Sequence, residues 1–152
     1  MKAFPDTSFL CALYRQQTNS DSALAFMEAR GEPLPISPLL RFEFLHGIRR
    51  EVFRHQHERG AGLSLSVASG VLQAFDDDFR LGRLVAVEIA LSAVLQRAEE
   101  LSERHATAGG HRAFDTLHVA TALALGFGEL LTFDAQQRSL AEAERLTVPW
   151  GA

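Results

Sequence analysis

Four carboxylates stand in apolar surroundings that do not explain them. Asp6 ends the run Lys-Ala-Phe-Pro, and Glu43 lies within the largely apolar residues 39–48. Asp115 and Asp134 bracket most of residues 111–134, HRAFDTLHVATALALGFGELLTFD. Apolar cores do not gather carboxylates for stability, because burying an unpaired charge is expensive. Two like charges ~4 Å apart repel by about 4 kcal/mol at an effective dielectric of 20. Four in one pocket would need a cation or large pKa shifts. No cysteine and no obvious histidine joins the set, and all-oxygen donors favour Mg²⁺, or Mn²⁺, over Zn²⁺. A pair of such ions can activate a water, clamp a scissile phosphate and stabilise a leaving 3′-oxygen. The chemistry implied is metal-assisted phosphodiester hydrolysis.

That chemistry requires elements that carry the four acids to one place. Residues 2–5 read as a short strand, and Asp6-Thr7-Ser8 offers N-cap oxygens to a helix through Phe9, Leu10, Leu13 and Tyr14. Helical periodicity follows over residues 22–30, then a second strand over 34–37 that its prolines shorten. From Pro38 a helix buries Leu39, Leu40, Phe42, Leu45 and Ile48, and residues 51–59 form a charged helical segment. Residues 63–80 predict a helix with Leu65, Val67, Val71, Leu72 and Phe75 inward. A third strand is expected over 83–88, then a helix over 89–105 through Val94, Leu95, Ala98 and Leu101.

The helix that begins near Asp115 is apolar almost all round, which marks a buried helix. Gly126-Phe127-Gly128 suits its C-terminus, and residues 130–133 suit a buried parallel strand. A last helix over 135–144 and a closing strand over 146–148 complete the series. Strands separated by helices in this rhythm mean an α/β fold with a mostly parallel sheet, one domain over residues 1–152. Such sheets bind ligands beyond the carboxyl ends of their strands. Asp6 follows the first strand, Asp134 follows the fourth, Asp115 begins the helix feeding the fourth, and Glu43 comes soon after the second.

The pieces that carry this pattern resemble a known family. Asp6-Thr7-Ser8, Glu43 with Gly47 four residues on, Asp115 in Asp-Thr-Leu-His-Val-Ala-Thr-Ala, and Leu-Leu-Thr-Phe-Asp134 occur in the order found in PIN-domain ribonucleases. The chain resembles in particular their VapC-like members, the toxins of type II toxin–antitoxin pairs. The resemblance implies a three-layer α/β/α sandwich, with Mg²⁺ held by Asp6 and Asp115 and the acidic site completed by Asp134 and Glu43. It implies that Ser8 and Thr132 support metal or substrate. RNA cleavage leaving 5′-phosphate and 3′-hydroxyl ends, a homodimer, and a small antitoxin whose C-terminal segment blocks the site are implied too. Pro5 departs from the family, which usually has a β-branched residue or leucine there. His118 stands where many members carry isoleucine.

Plainer roles compete at each position. Asp6 and Asp134 suit helix N-caps, and Asp115 suits the first turn of a helix dipole. Glu43 could pair with Arg41 or Arg49 at a rim. His118, one turn beyond Asp115, could bond that acid, approach substrate, or be a core histidine satisfied by backbone. Arg112, one turn before it, suits a phosphate contact, a carboxylate clamp or plain surface. Glu43-x-x-His46 has di-iron spacing, but the second copy that architecture needs is missing. Asp76, Asp77 and Asp78 diverge by ~100° per residue on a helix and read as a solvated end. His55 and His57 read as solvated, and Cys11 as core. Arg41, Arg49, Arg50, Arg54 and Arg59 are either an RNA track or a solvated face.

Bulk properties narrow the remaining classes. The net charge of −4 argues against a nonspecific nucleic-acid coat protein but not against an enzyme with a local basic rim. Lys2 is the one lysine among 15 basic residues, which weakens an acidic-pocket phosphohydrolase that needs a lysine in its site. A non-catalytic PIN-like module binding RNA or protein is the other alternative. With Cys11 alone no internal disulfide can form. Pro5 and Asp6 interrupt the apolar N-terminus, and no stretch reaches membrane-span length, so a soluble cytoplasmic protein is expected.

Overall fold

The computed structural model describes residues 2–150. Its elements are β1 (Ala3–Pro5), α1 (Thr7–Tyr14), α2 (Ser20–Ala29), β2 (Leu34–Ile36), α3 (Pro38–His57) and α4 (Leu65–Arg80). They continue as β3 (Leu84–Ala86), α5 (Leu91–Gly109), α6 (Ala113–Ala124), β4 (Glu129–Leu131) and α7 (Ala135–Ala143). β1 pairs with β4 and β2 with β3, both parallel. β1 also lies alongside β2, so the strands run β3-β2-β1-β4 across the molecule. Helices α1 to α4 pack among themselves and α5 to α7 form a second group, giving the expected three-layer α/β/α arrangement.

Two prolines explain why the strands form two ladders and not one. The Asp6 amide donates to the Leu131 carbonyl at 3.0 Å, and the Leu34 amide to the Arg83 carbonyl at 2.9 Å. Successive amides along a strand alternate edges, so the nitrogens of Pro5 and Pro35 both fall on the β1–β2 edge. Neither has an N–H to give. Pro5 is therefore tolerated in β1 because the amides needed by β4 belong to its neighbours. The expected closing strand is reduced to one parallel bridge between Glu129 and Thr147.

Helix ends follow their local chemistry. Asp6 caps α1 by accepting from the Phe9 amide at 2.8 Å. Ser37 caps α3, with Pro38 at the first helical position, where a missing N–H costs nothing. Helix α6 closes on Gly126 at φ 73°, with the Phe127 amide bonding the Ala122 carbonyl and the Gly126 amide the Leu123 carbonyl. That pair of bonds is a Schellman ending, as the Gly-Phe-Gly stretch anticipates. Asp115, Thr116, His118 and residues 119–122 are buried, so α6 is the enclosed helix its composition requires.

Several expectations are corrected. The two helical segments after Pro38 are one continuous helix, α3, because no glycine or proline intervenes after Gly47 and Ile48 and Val52 continue the inward row. Phe42, Leu65, Val67 and Leu95 are exposed, and Phe44 takes the core position that Phe42 was expected to hold. The core is built on Phe4, Phe9, Phe44, Phe75, Leu101 and Leu130. The run Asp76-Asp77-Asp78 is not simply solvated. Each acid has its own cation, Arg41, Arg80 and Arg83 respectively, and Asp78 also accepts from the Tyr14 hydroxyl at 2.6 Å.

Candidate active site

All four acids line one cleft of about 230 Å³, together with Thr7, Ser8, Cys11, Arg112 and Gln137. Asp6 arrives from the end of β1, Glu43 from the second turn of α3, Asp115 from the first turn of α6 and Asp134 from the residues after β4. A larger cavity of about 500 Å³ lies elsewhere, where residues 33 and 83 lead into β2 and β3, and none of these acids reaches it.

Asp6 is 1% exposed and every visible partner is a donor. Its Oδ1 accepts from the Phe9 amide and the Ser8 hydroxyl, at 2.8 and 2.7 Å, and its Oδ2 from the Thr132 hydroxyl at 2.5 Å. Burial pushes the carboxyl up to about 6, against the pull of those hydrogen bonds. Ser8 also accepts from the Phe133 amide and Thr132 from the Asp134 amide, so the ends of β1 and β4 are tied through the acid they support.

Glu43 turns into the cleft rather than toward Arg41, which pairs with Asp76. Its Oε2 accepts from the Thr7 hydroxyl and from Nε2 of His118, the latter at 2.6 Å. Burial raises this carboxyl, but the hydrogen bonds from His118 and Thr7 outweigh it and hold Glu43 below its ordinary value. His118 is 1% exposed and bonds neither Asp115 nor backbone; its Nδ1 is buried without a partner. His46 instead stacks on Phe42, so Glu43-x-x-His46 forms no metal pair.

Arg112 joins the other two acids. Its guanidinium meets Asp115 at 2.9 Å and Asp134 at 3.3 Å while most of the side chain stays exposed. Asp134 also caps α7, accepting from the Gln136 and Gln137 amides at 2.8 and 3.0 Å. Capping and lining the cleft are therefore compatible, since one carboxylate oxygen of Asp134 serves each. Thr7 and Gln137 are lining residues that sequence reasoning did not single out, and Cys11, expected in the core, is half-buried against it and lines the cleft. Thr7 sits inside the quoted Asp-Thr-Ser, whereas nothing marks Gln137 before the fold is known.

The lining supplies carboxylate and hydroxyl oxygens, which suit a hard divalent cation. Asp6, buried with no ion pair among the described residues and with His118 as the one cationic group that eases its charge, is the strongest sign of that fit. Among the described residues, however, no three of His, Cys, Asp or Glu already stand as a ready cage. Arg112 holds the position of counter-charge between Asp115 and Asp134.

The parallel α/β/α layering and the acidic, oxygen-lined cleft where β1 and β4 end define the class. Residues 3–143 match the PIN domain, and the chain belongs to that family. The crystal structure of Mycobacterium tuberculosis VapC20, described as a sarcin-ricin loop cleaving toxin, shares the fold with a TM-score of 0.65. The match covers 90% of this chain and 93% of that one at 17% identity. No curated protein sequence gives a match.

Proposed function

We propose that this chain is a divalent-metal-dependent endoribonuclease that acts as the toxin of a type II toxin–antitoxin pair. The observation that carries this is the meeting of Asp6, Glu43, Asp115 and Asp134 in one cleft of a PIN-family chain. Those four would hold Mg²⁺, or Mn²⁺. A bound ion supplies Lewis acidity toward phosphoryl oxygens and neutralises the charge that develops as the phosphodiester is hydrolysed.

The chain's own residues orient that site. Ser8 and Thr132 fix both oxygens of Asp6, and His118 and Thr7 fix Glu43. Arg112, exposed over Asp115 and Asp134, is placed to exchange a carboxylate for an incoming phosphate oxygen. No lysine lines the cleft, which leaves the lysine-dependent phosphohydrolase without its cation.

The test is RNA cleavage by purified protein with Mg²⁺, compared with Asp115→Asn. Expected are products with 5′-phosphate and 3′-hydroxyl ends and a loss of roughly two orders of magnitude or more in the variant. Equal cleavage by both proteins, or none by the wild type, would sink the nuclease reading. The Arg112 clamp favours a second reading, a module that binds RNA or protein without turnover. Binding without cleavage under the same conditions selects it.

The same reading includes a homodimer working in the cytoplasm and a small antitoxin whose C-terminal segment blocks the cleft. It draws support from the description of VapC20 as a toxin that cleaves the sarcin-ricin loop, one candidate class of substrate here. Among the described residues no helix is long and apolar enough to cross a membrane. Growth arrest on expression, relieved by a small neighbouring gene, is the outcome expected.

A further inference from the structure

We propose that the outward face of α3 is a track for single-stranded RNA, with Phe42 and Phe53 as base-stacking platforms and Arg49 and Arg50 as phosphate contacts. This deepens the ribonuclease reading by naming how substrate would reach the cleft. Phe42, His46, Arg49, Arg50, Phe53 and His57 are all exposed. At ~100° per residue they fall within an arc of roughly 100°, and Phe42 and Phe53 are offset by only about 20°. At 1.5 Å per residue, the two phenylalanines stand roughly 16 Å apart along the helix.

The face is unusual in what it leaves open. Phe42 is 58% exposed and Phe53 61% exposed, and each stacks with a histidine one turn on, His46 at 5.6 Å and His57 at 4.0 Å. Large aromatics this exposed gain no folding energy in proportion to their size. Arg41 and Arg54 are taken up by Asp76 and by Glu51 with Glu58, whereas Arg49 and Arg50 have no acidic partner among the described residues. No acid shares the arc. Aromatic faces interleaved with unpaired arginines are the chemistry that receives unstacked bases and their phosphates.

The stripe also begins at the cleft. Phe42 precedes Glu43 and lies 6.3 Å from Phe114, which precedes Asp115. A strand laid along α3 would thus reach the edge of the cleft beside two of the four acids. A second copy of the chain fits less well, because a two-fold contact through this face would set arginines against a surface without acids.

The experiment is fluorescence anisotropy of labelled oligouridine with the full chain in chelator, so that no cleavage intervenes. Phe42→Ala and Phe53→Ala are each expected to weaken binding about tenfold, with tyrosine at either position restoring it. The double variant Arg49→Gln/Arg50→Gln should flatten the log K against log salt slope by roughly 1.4. Unchanged affinity in these variants, or no binding by the wild type, overturns the proposal. So does conversion of a dimer to a monomer by the phenylalanine variants with affinity per chain unchanged, which would make the face a contact between copies. RNA cleaved with Mg²⁺ but bound equally by all variants would reject the track and leave the nuclease standing. Binding lost as expected without any cleavage would do the reverse.

Discussion

At the scale of single residues, Asp6 carries the tension of the site. Its carboxyl is fully enclosed, and burial raises it to about 6 despite three hydrogen bonds. A raised acid contributes stability in its protonated form, fully present below the ordinary 3.8 and lost as pH climbs through about 6. The shift corresponds to about 3 kcal/mol. Asp6→Asn should therefore stabilise the metal-free protein by ~2 kcal/mol at about pH 7.5, with the gain shrinking toward pH 4. Urea titrations in chelator at the two pH values check this. A destabilised variant at the higher pH would mean that the charge-assisted hydrogen bonds outweigh burial. Glu43 lies on the other side of that balance, since His118 and Thr7 hold it ionised.

At the scale of elements, α3 connects the cleft to the outer face. Its C-terminal part is tied to the turn that follows it, where Gly62 at φ 72° lies against the helix backbone. A Cβ there would stand 2.1 Å from the Glu51 carbonyl oxygen and 2.5 Å from the His55 amide nitrogen. The same turn returns the Leu63 amide to the Glu51 carbonyl at 3.0 Å. Gly62→Ala is expected to cost about 2 kcal/mol or more, through both the positive φ and the clash. Chemical denaturation measures it, and a variant within ~0.5 kcal/mol of wild type would show that the turn shifts freely.

At the scale of the whole molecule, the cleft draws its acids from residues that span most of the chain, so ligation there couples to global folding. An ion that binds only the folded state stabilises by mass action, about 2.7 kcal/mol at one hundred times its dissociation constant. Saturating Mg²⁺ or Mn²⁺ should raise the melting temperature of the wild type. The rise should be larger in Arg112→Gln, which removes the guanidinium competing for Asp115 and Asp134. Thermal melts with and without divalent ion decide it. No shift in either protein would remove the cation from the proposed function.

Much of the frame is legible in residue order because it rests on short-range chemistry. The Schellman ending at Gly126, the caps at Asp6 and Asp134, the enclosure of α6 and the alternation of helices with short strands each depend on a few adjacent side chains. The four acids could be picked out for the same reason, as charges in apolar local settings. Which partner each acid takes is decided only by tertiary structure. Glu43 chooses His118, 75 residues away, over nearby arginines, and Arg112 reaches Asp134 as well as Asp115. The outward turn of Phe42 is settled in the same way, since Phe44 fills the core under α3. Periodicity marks an apolar face on a helix, but the neighbouring elements determine where along the arc the core ends.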